Sequence, residues 1–126
     1  MLLNLTDLSD EPLQSQIVRQ VRSKILAGEL SAGTPLPSIR VLAREQKVSV
    51  ITVQRAYEYL MRDDLIHSRR GKGFFVSEVP LDQKKNMAKQ RLKENLERPV
   101  LDAMAEGLTS KEIGNIVTDI LRKKKA

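Results

Sequence analysis

A mostly helical fold with one small β-hairpin, arranged as a winged helix-turn-helix followed by a two-helix tail, is predicted by three features of the sequence. Between Leu36 and Val76 the residues spell a short amphipathic helix, a break, a second amphipathic helix, and a strand-turn-strand run with basic residues at its tip. Ahead of that stretch Leu13, Ile17, Val21 and Ile25 recur every four residues. Behind it Leu81, Ala88, Leu92, Leu96, Val100 and Met104 keep largely the same spacing. Residues 1–79 therefore read as one domain and residues 80–126 as a helical tail, with Pro80 marking the boundary.

Leu2 to Leu8 is a short lead, and Pro12 suits the first turn of a helix expected to run to about Ala27 and to stop at Gly28. On that helix Gln14, Gln16, Arg19, Gln20 and Ser23 are expected at the surface. The loop from Glu29 to Leu36, with Gly33 and Pro35, leaves room only for a brief strand around Thr34 to Leu36, edging the hairpin. Ser38 caps a helix whose apolar face is Ile39, Leu42 and Ala43, and the chain breaks at Glu45-Gln46-Lys47. Ser49 caps the next helix, expected to bury Val50, Val53, Ala56, Tyr57 and Leu60 and to leave Thr52, Gln54, Arg55, Glu58 and Arg62 outside. Ile66 to Arg69, a turn at Arg70-Gly71-Lys72-Gly73, and Phe74 to Val76 form the hairpin.

In the tail, Pro99 is expected to kink the long helix or split it in two, and Gly107 to end it. Thr109 with Glu112 makes a capping box for a last helix, whose Ile113, Ile116, Val117, Ile120 and Leu121 form a narrow apolar stripe. Arg122 to Lys125 complements its C-terminal dipole. A small domain leaves such a stripe over, and a leftover stripe marks an association surface, so the tail is expected to dimerise the chain.

Lys+Arg 22 against Asp+Glu 16 gives a net charge of +6. From Ser38 to Ser77 the basic residues Arg40, Arg44, Lys47, Arg55, Arg62, Arg69, Arg70 and Lys72 outnumber Glu45, Glu58, Asp63 and Asp64, which suits a polyanion at that motif. The absence of cysteine removes disulfides and thiolate metal sites. The N-terminus has no signal-peptide pattern and no apolar run reaches membrane-spanning length, so a cytoplasmic protein without membrane contact is expected. An enzyme is not expected, because there is one histidine, no phosphate-cradling glycine loop and no paired acids in a catalytic setting. His67, on a predicted strand, reads as a packing or surface residue rather than a metal ligand. No cofactor is expected.

The segments LPSIRVLA, VSVITVQRAYEYL, DDLI and RRGKGFFV, in that order, resemble the DNA-binding domain of the GntR family of bacterial transcriptional regulators, from about Glu11 to Glu78. The short tail and the TVQRAY segment resemble its YtrA-type subgroup. The resemblance implies double-stranded DNA as partner, a homodimer formed through the tail, and repression from an inverted-repeat operator. It matches Arg40 to the arginine of the family's PSxR element, and Arg70, Gly71 and Lys72 to a minor-groove contact. Chemistry adds Ser38 and Arg44 beside Arg40, Ser49 and Thr52 for phosphate at a helix N-terminus, Gln54 and Arg55 for base edges, and Arg69 for phosphate. Val50 and Ile51 are apolar where other members carry polar or charged residues, and Ile51 can meet a thymine methyl. A winged helix used for protein contact or for sequence-blind DNA packaging is the second class of function compatible with the pattern. Two helices from one subunit make a typical ligand pocket hard to enclose, which leaves a site between subunits open, and the residues tell neither whether a small-molecule effector is sensed nor which.

Overall fold

The structure, a computed structural model, describes residues 1–125 and only the backbone of Lys125, so the charge complement expected from the Lys125 side chain lies outside the described residues. Helix α1 (Leu13–Leu26) begins after Pro12, whose fixed φ of −56° suits a helix entrance and whose missing N–H has no helical partner to lose there. It ends at Ala27, and Gly28 follows at φ +85°, a left-handed position that glycine takes without a Cβ penalty. Ile17, Val21 and Ile25 are buried as their spacing predicts.

Gln16, expected at the surface, is instead 1% exposed. Its amide is used at both ends: Nε2 donates to the carbonyls of Thr6 (2.7 Å) and Glu11 (2.8 Å), and Oε1 accepts from the Thr6 N–H (2.9 Å). One turn on, Gln20 holds Asn4 in the same way, with bonds of 2.7 and 2.8 Å. The two glutamines fasten the lead to α1, and Leu3 is buried in the process. A buried amide whose donor and acceptor are both satisfied escapes the desolvation cost that an unpaired one suffers.

Strand β1 (Pro35–Leu36), helices α2 (Ile39–Gln46) and α3 (Val50–Arg62), and strands β2 (Ile66–Arg69) and β3 (Gly73–Val76) complete the winged helix-turn-helix. The antiparallel sheet runs β1-β3-β2, with Leu36 opposite Phe74 and His67 opposite Phe75. α2 stops because Lys47 turns left-handed at φ 56°, which lets the Val48 N–H reach back to the Ala43 carbonyl at 3.0 Å. Both α1 and α2 pack on α3, and Leu42, Val53, Ala56, Tyr57 and Leu60 are buried where they meet.

Val50 departs from expectation: it is 45% exposed. Its helical phase is close to that of Tyr57, but the cover that buries Val53 and Tyr57 does not extend over Val50, and burial needs a cover as well as a phase.

The chain divides into two compact units, Met1–Lys84 and Lys85–Ala126. Helix α4 (Leu81–Ala105) continues on both sides of Pro99, so the proline does not split it. Pro99 removes the donor for the Asn95 carbonyl, but both residues are exposed and water can take the vacated bond. Gly107 ends α4 at φ +102°, with the Leu108 N–H bonded to the Ala103 carbonyl at 3.0 Å. Helix α5 (Ser110–Lys125) opens with the expected capping box. The Thr109 N–H and hydroxyl donate to Glu112 at 2.9 and 3.1 Å, holding its carboxyl below the usual range, while the Glu112 N–H donates to the Thr109 hydroxyl at 3.2 Å. Leu92, Leu96, Ile116, Val117, Ile120 and Leu121 are 39% to 60% exposed. No helix among the described residues is long and apolar enough to cross a membrane.

Candidate nucleic-acid interface

Three elements carry the candidate residues. On α2, Ser38 caps the helix by accepting from the Val41 N–H at 3.2 Å, and Arg40 and Arg44 follow on the exposed side. At the start of α3, Ser49 accepts from the Thr52 N–H at 3.1 Å, and the two hydroxyls lie 2.7 Å apart. That pair uses one O–H between its members and keeps the other for an outside acceptor, beside a helix N-terminus whose dipole favours an anion. Gln54 and Arg55 are exposed, with Gln54 Nε2 donating to Glu58 at 3.3 Å.

The hairpin turn holds the rest. The Lys72 N–H donates to the Arg69 carbonyl at 2.9 Å, and Gly71, at φ +75°, takes the left-handed third position of that turn. A Cβ at Gly71 would meet nothing within 4 Å, so conformation and not crowding asks for glycine in the unbound protein. The Arg69 guanidinium lies 5.1 Å from the centre of the Phe75 ring, which restrains its swing. His67 stacks on the same ring and bonds Ser77 through Nδ1 at 2.9 Å, a packing role.

Among the described residues, Arg40, Arg44, Arg55, Arg70 and Lys72 are in no salt bridge. Their charge is therefore not neutralised within the chain and is available to phosphate. The cations of α1 contrast with this: Arg19 pairs with Glu11 at 2.9 Å, Arg22 with Asp63 at 3.7 Å and Lys24 with Glu29 at 3.4 Å. An open depression of about 500 Å³ between the lead and α1 is lined by Leu2, Gln20 and the paired Arg19 and Lys24, and involves none of the candidate residues.

Tyr57, which sequence reasoning placed only in the core, ties the three elements together. Its hydroxyl donates to the Pro37 carbonyl at 2.7 Å, just ahead of the cap of α2, and its ring meets Phe74 of β3 edge-on at 4.9 Å. Burial pushes its phenol well above the ordinary value, and the Glu45 carboxylate adds to the rise. A tyrosine on an otherwise aliphatic buried face was the available signal, because a buried hydroxyl needs a partner.

Residues 13–76 match the sequence profile of the bacterial regulatory proteins of the gntR family, which is half of the chain. The chain belongs to the GntR family. The GntR chain is 28% identical over 119 residues to the HTH-type transcriptional repressor YtrA of Bacillus subtilis, covering 94% of this chain and 92% of that one. It is similar to the crystal structure of a transcriptional regulator from Oenococcus oeni, with 29% identity, a TM-score of 0.70, and coverage of 94% and 97%. It is also similar, over 61% of its length and 94% of the other chain, to the AraR DNA-binding domain in complex with operator ORE1, at 25% identity and a TM-score of 0.51. This GntR chain is thus a transcriptional regulator whose winged helix is its DNA-binding domain, and its likeness to YtrA extends through the tail.

Proposed function

We propose that the chain is a cytoplasmic repressor that binds an inverted-repeat operator as a homodimer, with α3 in the major groove and the hairpin as a wing in the minor groove. The observation that carries this reading is the set of unpaired cations on α2, α3 and the hairpin turn, gathered on the three elements that Tyr57 joins. The YtrA relative is a repressor by name, and the AraR domain was solved on an operator, which supports the same reading here. The exposed stripe of α5 supports the dimer, since four large aliphatic side chains of one short helix lie 39% to 60% exposed in the single chain. A two-fold dimer sets two recognition helices over half-sites about 34 Å apart, one turn of duplex, or a multiple of that.

Arg40 and Arg44 serve the groove lip, Gln54 and Arg55 the base edges, and Arg69, Arg70 and Lys72 the backbone and minor groove beside the wing. Footprinting of the full chain tests the proposal. The expected result is protection of one short inverted repeat in two half-sites. Uniform coating of any duplex, or protection of none, contradicts it.

A further inference from the structure

The exposed arc of α3 is not uniformly polar. Going round the helix, Val50, Gln54, Glu58, Ile51 and Arg55 follow one another at the surface, and the two members nearest the N-terminus are β-branched and aliphatic. Val50 is 45% exposed and Ile51 59%. Single exposed apolar residues are ordinary, but these two are consecutive in the chain, stand on the first turn, and share the exposed arc with Arg55, which is in no salt bridge among the described residues. Neither contributes to the core, and β-branched residues lower helix propensity, so folding gives no reason for them. Beside them, the Ser49 oxygen holds the cap and the Ser49–Thr52 pair, 2.7 Å apart, keeps one O–H for an outside acceptor.

We propose that Val50 and Ile51 determine operator specificity by reading the 5-methyl group of thymine, so that each half-site carries a T·A pair under the first turn of α3. This rests on the reading of the chain as an operator-binding regulator. Among the base edges of the major groove, the thymine C5-methyl is the apolar feature. An aliphatic side chain pressed on any other edge strips water from a donor or acceptor and returns no hydrogen bond, so Val50 and Ile51 select by exclusion as well as by contact. Gln54 and Arg55, further along the arc, are left to read hydrogen-bonding edges of neighbouring pairs.

The test begins by selecting bound sequences from random duplex with the full chain. In the selected site each thymine is then replaced by deoxyuridine, which deletes one methyl group and keeps every hydrogen-bonding group. At one or two positions per half-site, affinity is expected to fall on the order of threefold to fivefold per methyl, the equivalent of one buried apolar carbon. At the same positions, an operator changed to C·G is expected to recover binding when the cytosine carries a 5-methyl group. The Ile51→Ala and Val50→Ala variants are expected to lose the thymine-uracil difference, each at its own position. Alanine at an exposed helical site favours the helix, and thermal melting confirms the fold. Should a variant fail to fold, the uracil series on the unaltered protein decides alone. A selected consensus whose binding ignores every uracil replacement overturns the methyl-reading proposal while leaving operator binding intact, as does full discrimination retained in both variants. A selection that yields no consensus overturns both readings.

Discussion

At the scale of single residues, Arg40 and Tyr57 separate contact from positioning. Arg40 is exposed on α2 and in no salt bridge, so its guanidinium is free for DNA. Arg40→Ala should weaken operator binding by about 1 to 3 kcal/mol and leave the oligomeric state unchanged, which gel-shift titration at fixed salt and light scattering would show. Tyr57 is fully buried and bonds the Pro37 carbonyl. Tyr57→Phe keeps the ring contact with Phe74 and removes the hydroxyl, so denaturant unfolding should show a loss of about 1 kcal/mol. The sign of the pH effect follows from the raised phenol. The unfolded tyrosine ionises near pH 10 while the buried one holds its proton, so this stability is complete below about pH 10 and declines as pH rises beyond it. Unfolding curves from pH 9 upward should therefore fall more steeply for the native chain than for the phenylalanine variant, in the region of roughly pH 10 and above.

Among elements, what was legible in the sequence was local, and what was missed depended on neighbours. The caps of α2, α3 and α5, the brief β1 at the hairpin edge and the stop at Gly28 are fixed within a few residues of chain, and each is present where its pattern placed it. Polarity alone places Gln16 at the surface, yet the returning lead supplies its amide with three partners. Periodicity places Val50 in the core because it says which side faces inward and not where the cover ends, and Val50 is 45% exposed. The candidate interface was legible as a set of basic and hydroxyl residues, whereas the tie through Tyr57 spans residues 37, 57 and 74 and shows only in three dimensions. Pro99 is the same lesson in energies. A proline costs a helix interior about 3 kcal/mol relative to alanine, and α4 continues past it because the turns on either side propagate helix and exposed carbonyls find water. Pro99→Ala should therefore raise helicity by circular dichroism and increase stability by up to about 3 kcal/mol; an unchanged or lowered melting temperature would show that the missing N–H is compensated in another way.

For the whole molecule, the chain forms two compact units, Met1–Lys84 and Lys85–Ala126, and the proposal has the first hold DNA and the second join subunits. Association matters because a dimer turns the second half-site contact into an intramolecular step, worth a factor of roughly 100 to 10,000 in apparent affinity. Ile116 lies in the stripe of α5 and is 50% exposed in the single chain, so an aspartate there replaces no residue of the buried core and places a charge where a second subunit is proposed to pack. The most direct measurement is light scattering on the native chain and on Ile116→Asp, paired with titration of duplexes carrying one half-site or two. The native chain should be a dimer that strongly prefers two half-sites, and Ile116→Asp a folded monomer that binds both duplexes with similar, weaker affinity. An Ile116→Asp chain that stays dimeric and holds the two-half-site duplex as tightly as the native protein would contradict the account.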